Sequence, residues 1–350
     1  MMKWNKKYGL IVLAILAVVG IAVGVVVGRS MYHLRVQNFR AADGENHDFY
    51  IRDTIAVDSL LTLLDEADYH PASMWSWRRH AKKAGFRRVL PGHYTLAPAI
   101  GDRMLIWMFQ FGHQTPVRIS WRMTIRTREQ LAGRLSKQLR CDSASIADCL
   151  SSDEYMSRFG LTKETAVCLF IPDTYEVWWT MSVDELFERM QKEYNRFWND
   201  DRCRLADEIG LTPTEVATLG SIVASETNRA QEHPIIAGLY LNRLRKHMLL
   251  QACPTVIFAV GDFSMRRVTN RHLQIDSPYN TYRNLGLPPG PIRCVSADVM
   301  DAVLHYEKSD YLYMCANPDF SGTHVFSSNY AKHSQTARAY QRELNKRKIK

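Results

Sequence analysis

The sequence holds no C-x-x-C pair and no H-E-x-x-H, and its twelve histidines show no comparable ligand spacing. Those absences remove the usual signals of a zinc ribbon, a dithiol redox site and a zinc protease. Seven cysteines stand singly at 141, 149, 168, 203, 253, 294 and 315, an odd number that leaves at least one thiol unpaired within a monomer. Cys141 and Cys149 are close enough in sequence to pair in an oxidising compartment. The plainer reading is small buried apolar residues. No low-complexity tract interrupts the chain. Its net charge of +9 is scattered apart from "RLRK" and "NKRKIK". That pattern fits a solvated face or attraction to anionic headgroups better than a nucleic-acid groove.

What is present begins with one uncharged run, Gly9 to Gly28. As a helix it spans roughly 30 Å, the hydrocarbon thickness of a bilayer. A cleaved signal peptide is the rival, but its apolar region is usually about 7–15 residues and ends at an A-x-A-like site. The run therefore reads as a retained anchor. Lys3, Lys6 and Lys7 precede it beside Trp4 and Tyr8, which favours an inner-membrane, single-pass topology with the N-terminus inside and the bulk exported. Gly20, Gly24 and Gly28 form a small-residue stripe able to pair helices.

The remainder, 46% hydrophobic over 350 residues in all, has the length of two or three domains. The expected class is α+β: a transmembrane helix, small α+β modules, then a mixed α+β catalytic domain. The expected boundaries are 1–28 for the tail and anchor, 29–116 for a membrane-proximal module, 117–205 for a second module with a linking helix, and 206–350 for the catalytic domain. "FYIRDTIAV" and "GHYTL" read as strands. "VDSLLTLLDEA" reads as a helix with Leu60, Leu61, Leu63 and Leu64 on one side, and "DRMLIWMFQFG" as a buried helix. Val117, Ile119, Trp121 and Met123 alternate as in a half-buried strand. Thr127 and Gln130 can form a capping box. The long amphipathic stretch from Ser182 breaks near Asn199.

Thr212, Pro213 and Glu215 open a strongly signalled helix, "LTPTEVATLGSIVASET". Counting in threes and fours back from Glu226 meets Val223, Ile222, Leu219 and Val216, so the acid continues the apolar stripe. Ala217, Gly220 and Ser221 make the other face small, as in a helix packed on both sides. Glu226 is then either a solvated helix end or a carboxyl held in an apolar wall. In the second case desolvation raises its pKa and lets it donate a proton near neutral pH. Downstream, "SPYNTY" and "GLPPGPI" are loops rich in aromatic, amide and imino-acid groups. His324, Phe326 and Asn329 follow in and after a hairpin made by "YLYMCA" and "THVFSS". Together these residues suggest a sugar-binding cleft.

From about Leu211 to Asn329 the chain closely resembles the endolytic murein transglycosylases of the MltG (YceG-like) family. The resemblance rests on "SIVASET", "NRLRKHMLLQACPTVIFAVG", "PYNTYRNLGLPPGPI" and "HVFSSNYAKH", in that order, with "IPDTYEVWW" before them. It implies LysM-like modules ahead of the catalytic part, matched loosely here by "GHYTL" and "VRISWRMTIRTREQLAGRLSKQL". It implies cleavage of MurNAc–GlcNAc bonds within nascent glycan strands, leaving 1,6-anhydro-MurNAc ends and terminating elongation. The catalytic glutamate of the family falls on Glu226. Gln251, Thr255, Tyr279, Asn280, Thr281, Tyr282, His324, Phe326 and Asn329 are the expected substrate-binding groups. No metal or other cofactor is implied. The expected partners are peptidoglycan strands, the membrane, and glycan polymerases or penicillin-binding proteins, with no nucleic acid.

Two departures from the family pattern stand out. Ala224 replaces an earlier glutamate of "SIVEKET", which leaves Glu226 as the lone carboxyl of that motif. Cys253 stands where relatives commonly have Asp before Pro-Thr, with Asp262 and Asp276 as potential replacements. The alternatives are a catalytically impaired, membrane-anchored glycan-binding scaffold, and a two-carboxylate muramidase whose hydrolysis leaves reducing ends.

Overall fold

A helix from Lys6 to Gln37 carries the apolar run. The computed structural model describes residues 6–122, 124–265 and 267–347. Met123 of the expected alternation, Lys3 and Trp4 before the run, and Lys348 to Lys350 of the basic tail lie outside the described residues. Within the helix, Val12–Arg29 is long and apolar enough to cross a membrane, and none of it is buried by the rest of the protein. The chain is a mixed α+β protein that divides into two compact units. One comprises residues 1–117 and 176–180; the other comprises 118–175 and 181–350.

In the first unit, Phe39–Ala41 is the centre of a three-stranded antiparallel sheet between Tyr69–Pro71 and Ala99–Ile100. His47–Ile51 pairs with Gly92–Leu96. "FYIRDTIAV" therefore breaks after Ile51 and resumes as a second short strand, Ile55–Ala56, on Arg88–Val89. The helix Val57–Glu66 buries Leu60 and Leu64 and leaves Leu63 exposed, so the four leucines do not share one side. The helix Asp102–Phe111 buries Leu105, Ile106, Met108 and Phe109 but exposes Met104, Trp107 and Phe111. It is amphipathic, not wholly buried as its composition suggested.

In the second unit, Thr127 caps the helix Arg128–Ser136 by accepting from the Gln130 amide. The Gln130 side chain accepts the Arg126 N–H, one residue beyond the Thr127 N–H that a capping box requires. Asn199 caps the helix Asp200–Ile209 directly after Val183–Phe197, which is the expected break. All seven cysteines are free thiols. Cys141 donates to the Met181 carbonyl at 2.9 Å and makes no bridge to Cys149.

The helix Pro213–Glu226 lies at the centre of this unit, with Val216 to Ala224 buried on every side. Its apolar face meets the helix His233–Arg245 and a core of Leu239, Leu241, Leu250 and Ala252. Its small face takes the helix Ala297–Leu304, where a side chain on Gly220 would press on Val295 and Val299. The Ser221 hydroxyl accepts the Ile292 N–H at 3.0 Å and so ties the proline-rich loop to the helix. That loop docks tightly: a Cβ on Gly290 would strike the Glu164 carbonyl. Tyr313–Ala316 and His324–Ser327 form the expected hairpin, and Tyr330–Lys346 the final helix.

Candidate active site

Glu226 is the last residue of its helix, and the start of that helix fixes the register. The Thr212 side chain accepts the Glu215 N–H, Glu215 returns the bond to the Thr212 N–H, and Pro213 occupies the first turn. Fourteen residues later the apolar stripe delivers Glu226 to the wall of a pocket of about 360 Å³. Glu226 is half-buried and is the one carboxyl among the described lining residues.

The pocket is built from three directions. The helix His233–Arg245 contributes Tyr240, whose hydroxyl donates to Glu226 Oε1 at 2.8 Å, and Arg243. The segment from Leu250 contributes Gln251 and Cys253, with Tyr282 beside them. The hairpin and the final helix contribute Met314, Cys315, His324 and His333. Arg243 holds these walls together. Its guanidinium donates to the carbonyls of Leu312 at 2.6 Å, Leu250 at 2.9 Å and Leu249 at 3.0 Å, and it lies 5.4 Å from the Tyr313 ring. It has no carboxylate partner among the described residues. Gln251 adopts a φ of 53°, in the left-handed region that side chains disfavour. Its N–H donates to the Thr281 carbonyl at 3.1 Å, which holds that turn. Strained backbone of this kind persists where the surroundings over-determine it, as at ligand sites.

The electrostatics favour an acid. Burial pushes the Glu226 carboxyl above its ordinary range, against the opposing pull of the Tyr240 hydroxyl and of His324. Burial, reinforced by the charge of Glu226, drives the Tyr240 phenol well above its usual value, so it remains a donor. Glu232 behaves in the opposite way. Burial works against its charge, but His324 and Thr227 donate to it and hold its pKa below the carboxylate norm. Those bonds run from the His324 N–H at 2.7 Å, from the Thr227 hydroxyl at 3.0 Å, and to His324 Nδ1 at 2.9 Å. Glu232 thus orients His324 and does not line the pocket. Burial raises the Cys253 thiol, the Tyr282 hydroxyl at 3.1 Å draws it down, and Glu226 adds to the rise. Asp262 caps the turn at Ser264 and is not among the lining residues; nor is Asp276.

The expected site residues separate into three groups. Gln251, Tyr282 and His324 line the pocket with Glu226. Thr255, Asn280 and Thr281 are fully buried beneath it. The Thr255 and Thr281 hydroxyls bond each other at 2.9 Å, and Thr281 also accepts the Ala252 N–H. Asn280 donates to the Leu273 and Ile275 carbonyls and accepts the Tyr282 N–H. These three shape the turn that presents Gln251 and Tyr282. Tyr279 packs on Phe258 at 4.7 Å, Phe326 stacks on Tyr311 at 5.7 Å, and Asn329 is the exposed cap of the final helix. Tyr240, Arg243 and His333 were not anticipated. Tyr240 and Arg243 lie inside the apolar pattern of "GLYLNRL", where an inward polar group has no distinct signature.

Residues 49–339 match the YceG-like family, and the chain belongs to it. It is 33% identical over 159 residues to a Bacillus subtilis protein named endolytic murein transglycosylase, covering 45% of this chain and 43% of that one. A Streptococcus pneumoniae protein of the same name is 30% identical over 157 residues, covering 44% of this chain and 27% of the other. The matched stretch therefore spans less than half the length of either relative. A solved yceG-like protein of Listeria monocytogenes superposes with a TM-score of 0.55 at 26% identity, over 83% of this chain and 98% of its own.

Proposed function

We propose that this member of the YceG-like family is a membrane-anchored endolytic transglycosylase of peptidoglycan, with Glu226 as its single acid–base group. The observation that carries the reading is the state of Glu226: the lone carboxyl of the pocket wall, raised by burial and held by one phenol. Two relatives named endolytic murein transglycosylase supply the substrate class.

The chemistry follows from those groups. The Tyr240 hydroxyl occupies Oε1, which leaves Oε2 to carry the proton. Glu226 gives that proton to the glycosidic oxygen as the C1–O bond breaks. The positive charge developing at C1 is met by the sugar's own acetamido group. Glu226, now a carboxylate stabilised by Tyr240, takes the proton of the C6 hydroxyl, and O6 closes on C1. The proton returns to the enzyme and no water is consumed. One carboxyl suffices, whereas hydrolysis ordinarily uses two. Gln251, Tyr282 and His324, which line the pocket, contact the strand in this reading. Thr255, Asn280 and Thr281 support them.

In this reading the Val12–Arg29 segment anchors the chain with its N-terminus inside. Nascent strands are the substrate, the modules ahead of the Glu226 helix are LysM-like, and glycan polymerases are the protein partners. Cleavage of uncrosslinked strands in H2 18O tests the reaction. A transglycosylase yields fragments one water lighter than hydrolytic products and free of the label. Labelled reducing ends would instead mean a hydrolase. Glycan binding without cleavage would mean a scaffold altered at Cys253.

A further inference from the structure

A hollow of about 970 Å³ in the first unit has nothing to do with Glu226. It lies between the end of the apolar helix, at Gly28, Met31 and Tyr32, and the outer faces of two helices, Met74–Ala84 and Asp102–Phe111. Its walls combine two chemistries. Trp75, Trp107 and Phe111 are exposed by 65%, 43% and 62%, far more than aromatic side chains of a folded core. Arg79, Lys83 and Arg103 stand among them, exposed and without an ion-pair partner among the described residues. The only carboxylate on either helix is Asp102, and it is fully buried.

That buried carboxylate fixes the height of the hollow. Asp102 accepts from the Asn38 amide at 2.6 Å and the Ser76 hydroxyl at 2.7 Å, and lies 2.8 Å from His80 Nδ1. Asn38 follows the membrane-length helix directly, and its side chain also accepts the Ser73 N–H at 2.8 Å. Both walls are therefore pinned to the end of the apolar helix. Headgroup regions extend roughly 5–8 Å beyond the hydrocarbon. At about 1.5 Å per residue, Gly28 to Tyr32 crosses that layer. Tryptophan at an interface and cations facing phosphate are the ordinary terms of binding there.

We propose that this hollow is a binding site for an anionic phospholipid headgroup, with Arg79, Lys83 and Arg103 on the phosphate and Trp75, Trp107 and Phe111 in the interface. It gives the chain a second membrane contact that sets the tilt of the first unit against the bilayer. The inference rests on the anchor reading and is independent of the reaction at Glu226.

The test uses the full chain in nanodiscs of zwitterionic lipid, or of the same lipid mixed with phosphatidylglycerol, brominated near the headgroup end of the acyl chains. Tryptophan quenching is read in each. The part of the quench lost in Trp75→Phe/Trp107→Phe is the signal from the hollow. We expect that part to be larger with phosphatidylglycerol, and the increment to disappear in Arg79→Gln/Lys83→Gln/Arg103→Gln. It should remain in a charge-matched control at the exposed Lys192, Arg267 and Lys308, each changed to Gln. Equal quenching in both lipids, or an increment lost equally in the control, would overturn the headgroup site. Failure of the chain to enter nanodiscs would overturn the anchor, and the site with it.

Discussion

Removing one hydroxyl should move the pH dependence of the reaction without changing its products. Tyr240 donates to Glu226 Oε1 at 2.8 Å and holds the carboxyl below the value that burial alone would impose. A bond to a charged acceptor contributes about 1.5–3 kcal/mol, and the same bond to a neutral acid about 0.5–1.5 kcal/mol. The difference, about 1–1.5 kcal/mol, is what Tyr240→Phe withdraws from the charged form; at 1.36 kcal/mol per unit it corresponds to about one pH unit. The sign is set by the acid role. In the proposed reaction cleavage needs protonated Glu226, so activity should fall as pH rises through its pKa, and the variant should keep that proton to higher pH. Glycan cleavage followed from acid to alkaline pH should show the alkaline limb displaced upward by about one unit. The maximal rate should also fall, because the carboxylate formed after proton transfer loses its donor. A limb that stays in place or moves to lower pH, in a variant that melts as the wild type does, would refute the link between Tyr240 and Glu226.

Three further outcomes follow from the same structure. The raised pKa of Glu226 means that the folded chain holds a proton the unfolded chain releases above about pH 4.5, so this group destabilises increasingly as pH rises; Glu226→Gln should therefore gain in melting temperature over wild type as pH rises above about 4.5, until the folded carboxyl itself ionises, as calorimetry would show. Gly290→Ala drives a methyl into the Glu164 carbonyl, a backbone atom that cannot yield cheaply; a cost of about 1–3 kcal/mol should lower Tm by about 3–10 °C, and an unchanged melt would contradict the tight docking of the proline-rich loop. Cys253→Asp introduces an anion at a position already coupled to Glu226, so the alkaline limb should again move upward; a downward shift in the pH–rate profile would count against that coupling.

The sequence revealed some of these features because their physics is local. The Thr212 cap, the small face at Ala217, Gly220 and Ser221, the hairpin around "NPDFSG" and the break at Asn199 each depend on neighbours along the chain, and the structure has them all. Glu226 could be placed on the apolar stripe because a helix converts spacing into direction. What remained hidden depends on contacts remote in sequence. Nothing in "SPYNTY" distinguishes an asparagine facing a ligand from Asn280, which spends both ends of its amide on its own loop. Arg243 reads as a surface cation at the end of a helix, but the carbonyls at 249, 250 and 312 draw it inward. Gln130 has the spacing of a reciprocal cap and makes a different bond, since spacing fixes reach and not which N–H is free. The aromatic residues of "DRMLIWMFQF" read as core, and only the folded helix shows which of them point outward.

The most direct test of the account is a product analysis. Uncrosslinked glycan strands are incubated with wild type and with Glu226→Gln, both shown folded by circular dichroism, and the fragments are weighed by mass spectrometry. The wild type should cleave internally and leave anhydro-MurNAc ends, and the variant should leave the strands intact. Anhydro ends persisting at wild-type rates in Glu226→Gln would contradict the proposed role, because cleavage would then not need the Glu226 carboxyl.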